Sequence, residues 1–206
     1  MPSRRRLLQA LTALAPAAAW TGRAHAGRQL EEPLGDAVRS ALSTAVAGAV
    51  PPEPVLPGEQ HRIDYARWLV HASMRLTRYK SHPAERQEFL QTLWYEARRA
   101  GLSLSLVLGL VQVESAFRKH AVSSAGARGY MQVMPFWSRL IGDGDDSRLF
   151  HLQTNLRFGC VILRHYLDTE RGDLFLALGR YNGSRGQAAY PQAVLAAQRH
   201  WQHAVD

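Results

Sequence analysis

Apolar residues recur along this chain at helical spacing between short polar breaks, and nothing keeps the two-residue alternation of a half-buried strand for long. A first helix is expected through Ile63, Ala66, Leu69, Val70, Ser73 and Leu76, with Tyr65 and Trp68 beside that stripe. A second opens near Pro83, a good first-turn residue, and runs by Phe89, Leu90, Leu93 and Trp94 to a stop at Gly101. Ser103 is the expected N-cap of a third, which continues to about Phe117. A loop rich in Ser, Gly and Ala follows, and Pro135 then sits in the first turn of a short helix through Phe136, Trp137, Leu140 and Ile141. The stretch "GDGDDS" at 142–147 reads as a turn. One more helix is expected from near Thr154 to Glu170, a shorter one is capped by Asp173 and ends by Tyr181, and a last begins at about Tyr190. The pattern predicts an all-α domain of about seven helices.

Upstream the pattern changes. Residues 1–26 read as an export signal, with Arg4, Arg5 and Arg6, an apolar run from Leu7 to Trp20, and small residues at Ala24 and Ala26 for cleavage. Ser3 to Leu8 also resembles a twin-arginine signal, and that route and the ordinary secretory one both stay open. Residues 27–58 form an Ala/Pro-rich segment, with a weakly amphipathic stretch from Leu34 to Val50 and a linker, "PPEPVLPG", at 51–58. The folded domain is placed at 59–206.

Composition narrows the function classes. The 206 residues are 46% hydrophobic and 20% charged, as in a globular protein. The net charge of +8 falls to +4 once the signal's four arginines are removed, leaving 21 basic and 17 acidic residues. That balance is too mild to call for nucleic acid, and it suits an anionic polymer only weakly. Cys160 is the sole cysteine, expected to be a buried small hydrophobe, so neither an internal disulfide nor a lipid anchor is expected. The mature protein is expected to be soluble and periplasmic.

The candidate chemistry centres on Glu114. At about 100° per residue it lies roughly 20° around its helix from Val107 and roughly 40° from Leu110, on the side expected to pack on the core. An apolar setting raises a carboxyl's pKa, which is what a general acid needs near neutrality. Helix geometry alone leaves a second reading open, in which Glu114 swings into solvent or pairs with Arg118 at i+4. The loop that follows favours the first. Gly126, Gly129 and the small residues around them permit tight turns and close approach to a ligand, and Gln132 brings an amide able to read sugar hydroxyls. Met131 and Met134 on their own would be core filler.

The segment "ESAFRKHAVSSAGARGYMQVMP" resembles the signature of the soluble lytic transglycosylases, which share a goose-type lysozyme-like fold. "NLRFGCVILRHYL" at 155–167, "RYNGSRG" at 180–186 and "YPQAV" at 190–194 resemble three further blocks of that family, in the same order. The resemblance covers roughly 100 residues. It implies cleavage of the β-1,4 bond between N-acetylmuramic acid and N-acetylglucosamine in peptidoglycan glycan strands. Glu114 would act first as acid and then as base, and the muramyl C6 hydroxyl would close onto C1 to give a 1,6-anhydro product. An attacking group supplied by the sugar makes a second carboxylate dispensable, so Asp143, Asp145 and Asp146 are read as a solvated turn.

The resemblance also assigns supporting roles. Ser115 holds local hydrogen bonds, Met131 and Gln132 contact substrate, Tyr181 orients the glutamate, Asn182 lies near the reacting acetamide, and Tyr190 lines the cleft. It implies no cofactor and no metal, and it allows proteins of an envelope assembly as partners. Departures from the pattern are Arg180 and Gly183-Ser184 around Tyr-Asn, and Tyr130 where leucine is commoner; they touch subsite shape. The alternatives are a hydrolase on the same fold and a non-catalytic peptidoglycan-binding protein. His200 and His203 read as a helical tail, and "DGDDSR" lacks the glycine and distant glutamate of a calcium loop.

Overall fold

Ser103 opens the most deeply buried helix among the described residues. Its hydroxyl accepts from the backbone N–H of Leu106 at 3.2 Å, capping α4, Leu104–Ser115, as the sequence predicts. Ten of the twelve residues of α4 are buried, so it has no solvent stripe and can only be a central helix. The computed structural model describes residues 29–47 and 56–202. The other elements are α1 (Asp36–Val46), α2 (Glu59–Leu76), α3 (Pro83–Arg99), α5 (Phe136–Ile141), α6 (Leu152–Thr169), α7 (Leu174–Asn182) and α8 (Ala189–Trp201), with a 3-10 turn at Asp146–Phe150; α4 packs on α8 and α3. Seven of these helices fall in the span expected to hold about seven, and among the described residues there is no named strand.

Helix α8 lies against α4 at closest range. A Cβ added at Gly109 would come within 2.6 Å of the Gln198 backbone nitrogen, so only glycine permits this approach. Trp201 at the end of α8 donates its indole N–H to Gln112 Oε1 at 2.7 Å. Helix α3 begins at Pro83 and stops at Gly101, whose φ of +64° lets Leu102 N–H reach back to the Ala97 carbonyl at 2.9 Å. It packs on α6 through a buried ion pair, Arg157 to Glu96, with Nη2 to Oε1 at 2.8 Å and Nε to the two oxygens at 3.1 and 3.2 Å. Asp173 caps α7 by accepting from Leu176 N–H at 3.0 Å.

Expected and observed boundaries differ by a few residues, most instructively at the end of α4. The apolar pattern carries on to Phe117, but the helix stops at Ser115 because Ala116 and Phe117 take left-handed φ values of +48° and +60°. Phe117 is nonetheless buried, against Phe89, Tyr79 and Trp201. Pro135 stands just outside its helix, as the cap of α5. Ahead of the proline-rich stretch, α1 packs on α5 and α6 with Leu42 in the core, so this part of the chain adds to the packed body. The export signal at 1–26, His203 and prolines 51, 52 and 54 lie outside the described residues.

Candidate active site

The abrupt end of α4 is where the polar groups gather. Two consecutive residues in the left-handed region, neither of them glycine, are costly, and such strain persists only where the surroundings hold it. Here it turns the chain away directly after Glu114 and Ser115. The Ser115 hydroxyl donates back to the Tyr130 carbonyl at 2.7 Å, tying the helix end to the following loop. Arg118 donates its Nε to the Ser115 carbonyl at 2.9 Å, a cation on the carbonyl end of a helix. Arg118 is thus spent on the helix end, and no neighbouring charge contributes to the shift at Glu114.

Glu114 itself is 4% exposed. Its Oε1 accepts a hydrogen bond from the Tyr190 hydroxyl, while Oε2 is buried without a partner. Burial raises its pKa from 4.5 to about 8, and the Tyr190 bond, which favours the ionised form, only moderates that rise. Because Tyr190 already donates to Oε1, the acid proton belongs on Oε2. Burial thus favours the neutral form of this carboxyl and leaves Oε2 unengaged.

The loop from 121 to 133 closes over this point as a small latch. Arg128 and Val133 exchange backbone hydrogen bonds at 2.9 and 3.0 Å, and Gly129 N–H reaches the Ala121 carbonyl at 2.9 Å. Gln132, at φ +48°, turns inward and donates Nε2 to the carbonyls of Ala121 and Gly129 at 3.0 and 2.9 Å. Its amide nitrogen is therefore committed to the loop, and Met131 beside it is fully buried. Gly159 on α6 leaves the room Met131 needs, since a Cβ there would lie 2.3 Å from the methionine sulfur.

Asn155, which the sequence showed only as part of a motif block, is the post for the whole latch. It is fully buried; Oδ1 accepts from Met131 N–H at 2.8 Å, and Nδ2 donates to the carbonyls of Arg128 and Leu149 at 2.9 and 2.7 Å. All three are buried-loop backbone groups that Asn155 ties to α6.

Two tyrosines divide the work differently from the expectation. Tyr181, expected to orient the glutamate, donates its hydroxyl to the Met131 carbonyl at 2.7 Å. Tyr190, expected to line the cleft, is the one bonded to Glu114. Next to Tyr181, Asn182 donates Nδ2 to Ser184 at 2.9 Å and leaves Oδ1 buried without a partner. The site therefore holds two orphaned oxygens, one an acid and one an amide acceptor.

Tyr130, the departure from leucine, lies tilted against Phe89 and accepts from Lys80 at 2.8 Å, while burial pushes its phenol up to about 12. Asp143, Asp145 and Asp146 lie in their turn, paired with Arg148, the Ser147 N–H and Arg128 respectively. Among the described residues no group of three or more His, Cys, Asp or Glu side chains could hold a metal. Cys160 is a buried thiol whose pKa burial drives up, and it is inert in that setting.

Comparison with known proteins places this geometry. The Transglycosylase SLT domain matches residues 92–201, more than half of the chain and every side chain of the site. The chain belongs to that family. It is 31% identical over 113 residues to the membrane-bound lytic murein transglycosylase C of Actinobacillus pleuropneumoniae serotype 5b, covering 51% of this chain and 31% of that protein. It is 32% identical over 101 residues to the transglycosylase of Enterobacteria phage PRD1, covering 49% of this chain and 37% of that one. The chain thus spans about a third of the length of these curated relatives. A solved structure of an inactive mutant of lytic transglycosylase Slt from Pseudomonas aeruginosa aligns with a TM-score of 0.49 and 24% identity, over 68% of this chain and 29% of that chain. Among the described residues, no helix of this SLT-domain chain is long and apolar enough to cross a membrane.

Proposed function

We propose that the protein is a peptidoglycan lytic transglycosylase that cuts the β-1,4 bond between N-acetylmuramic acid and N-acetylglucosamine and leaves a 1,6-anhydromuramyl end. The observation that carries this reading is Glu114, a single buried carboxyl raised to about 8, with Oε2 unengaged and Tyr190 on Oε1.

That arrangement supports a reaction in two steps. Oε2 gives its proton to the glycosidic oxygen as the bond to C1 breaks, and the N-acetylglucosamine leaves as an alcohol. Glu114 is now a carboxylate in an apolar setting, where it is a stronger base than in water, and the Tyr190 hydroxyl keeps it from being stranded. It takes the proton from the muramyl C6 hydroxyl as that oxygen bonds to C1, which restores the acid. The electron-poor C1 is relieved between the steps by the sugar's own acetamide. Asn182 Oδ1, a buried acceptor lacking a donor, is suited to hold the acetamide N–H in place. Ser115, Gln132, Met131 and Tyr181 keep the helix end and loop rigid behind the two reacting groups. Export to the periplasm through the segment at 1–26 accords with a substrate that lies outside the cytoplasm.

Mass spectrometry of purified glycan strands after digestion tests the proposal. Anhydromuramyl ends, lighter by one water than reducing ends, are expected from the wild type and absent with Glu114→Gln. Reducing muramyl ends would point to a hydrolase on the same fold, and wall-lysing activity undiminished in Glu114→Gln would place the chemistry elsewhere.

A further inference from the structure

Two residues ahead of α1 reach across the molecule, one to α5 and one to α7. Gln29 is 3% exposed, and its Oε1 accepts from the Trp137 indole N–H at 2.9 Å, across 108 positions of chain. Its amide lies beside the Tyr181 hydroxyl, whose ionised form it favours, although its Nε2 completes no hydrogen bond. Burying a glutamine amide only part-satisfied is unfavourable in itself. Three residues on, Glu32 takes Arg180 Nη1 on its two oxygens at 2.7 and 2.8 Å.

Arg180 extends the connection. Its Nε donates to Glu170 Oε1 at 2.7 Å, and Glu170 also receives Arg185 through Nε and Nη2, each at 2.8 Å. Arg185 belongs to the turn after α7, so one carboxylate ties the helix and its exit together. The N-terminal arm therefore meets α5 at Trp137 and α7 at Arg180. Arg180 and Tyr181 immediately precede Asn182, and Tyr181 holds the Met131 carbonyl. Arg180 is also the position at which this sequence departs from alanine, so the ionic half of the connection is a feature of this chain.

We propose that residues 29–32 act as a positioning strap, in which Gln29 holds α5 through Trp137 and Glu32 holds α7 through Arg180, so that the Met131 loop and Asn182 keep their working geometry. The inference rests on the glycan-cleaving reading of the Glu114 site. Gln29 acts through Trp137 and Glu32 through Arg180. The strap joins a segment the sequence places outside the domain to the back of the active site.

The test uses the full chain with Gln29→Ala, Glu32→Ala and the conservative Glu32→Asp. Rates are read as total glycan ends released from a soluble peptidoglycan oligosaccharide, whatever their chemical form. The two alanine variants are expected to lower kcat about tenfold each with KM within about twofold, as a small misplacement of reacting groups does, and Glu32→Asp is expected to recover most of the loss. The Asn182 side-chain amide resonance, recorded without substrate, is expected to shift in both alanine variants while the folded fraction stays unchanged. Wild-type kcat in both, a loss that merely follows the unfolded fraction, or an unmoved Asn182 resonance would overturn the strap. If the wild type cleaves no glycan, the functional reading fails, and the Asn182 resonance still decides the strap.

Discussion

Replacing Glu114 with glutamine removes the one group whose protonation the site controls, and stability against pH then reports on its environment without any substrate. The carboxyl titrates near 4.5 when the chain is unfolded and at about 8 when folded. Its folded pKa is raised, so its contribution is fully present below 4.5 and is lost as pH climbs toward 8. Each pKa step is worth about 1.4 kcal/mol, so the loss is about 3 kcal/mol at pH 7 and about 4 kcal/mol at pH 8, and it levels off at about 5 kcal/mol above that. Glutamine has nearly the same shape and carries no charge, so the Glu114→Gln protein should not pay this penalty. Urea unfolding of both proteins at pH 4.5, 7 and 8.5 is the assay. The variant should match the wild type to within about 1 kcal/mol at the lowest pH, allowing for the amide's different hydrogen bond to Tyr190, and exceed it increasingly above. A stability difference that stays flat with pH would refute the reasoning, because it would mean that Glu114 ionises as easily in the fold as outside it.

Other outcomes follow from single contacts. Tyr190→Phe removes the donor on Oε1, so the Glu114 pKa should rise further, the alkaline limb of the pH–rate profile should move up, and turnover should fall by about two orders of magnitude; wild-type turnover would deny Tyr190 its part. Glu96→Leu leaves Arg157 without its carboxylate partner in the core and should cost about 3–5 kcal/mol by urea unfolding, whereas a loss below about 1 kcal/mol would mark the pair as energetically idle. Gly159→Ala pushes a methyl into Met131 and should cost about 1–3 kcal/mol while lowering turnover, measured by unfolding and glycan release together.

What could be read in the sequence was whatever depends on near neighbours. The Ser103 and Asp173 caps, the stop at Gly101 and the inward face of Glu114 all follow from spacing within a few turns of one helix, and the structure has each in place. The partners of the polar side chains were not legible, because they are fixed by contacts between distant parts of the chain. Glu114 meets Tyr190 across 76 positions and Tyr181 meets Met131 across 50, so no periodicity could say which tyrosine holds the acid. Gln132 reads as an exposed amide in a loop until its positive φ turns it inward. Asn155 looked like one helix residue among many, although a buried asparagine opposite a glycine-rich loop is a signal that the loop's backbone needs a partner. The segment before the prolines looked peripheral because its own pattern is weak, and its anchors lie on α5 and α7.

The account turns on whether the oxygen that joins C1 comes from the sugar or from solvent, and digestion in water enriched with heavy oxygen decides it. Closure by the muramyl C6 hydroxyl predicts anhydro ends that carry no label at C1. Muramyl ends that carry the heavy isotope at C1 would show that water attacks, and would contradict a mechanism in which Glu114 serves as both acid and base to a single sugar.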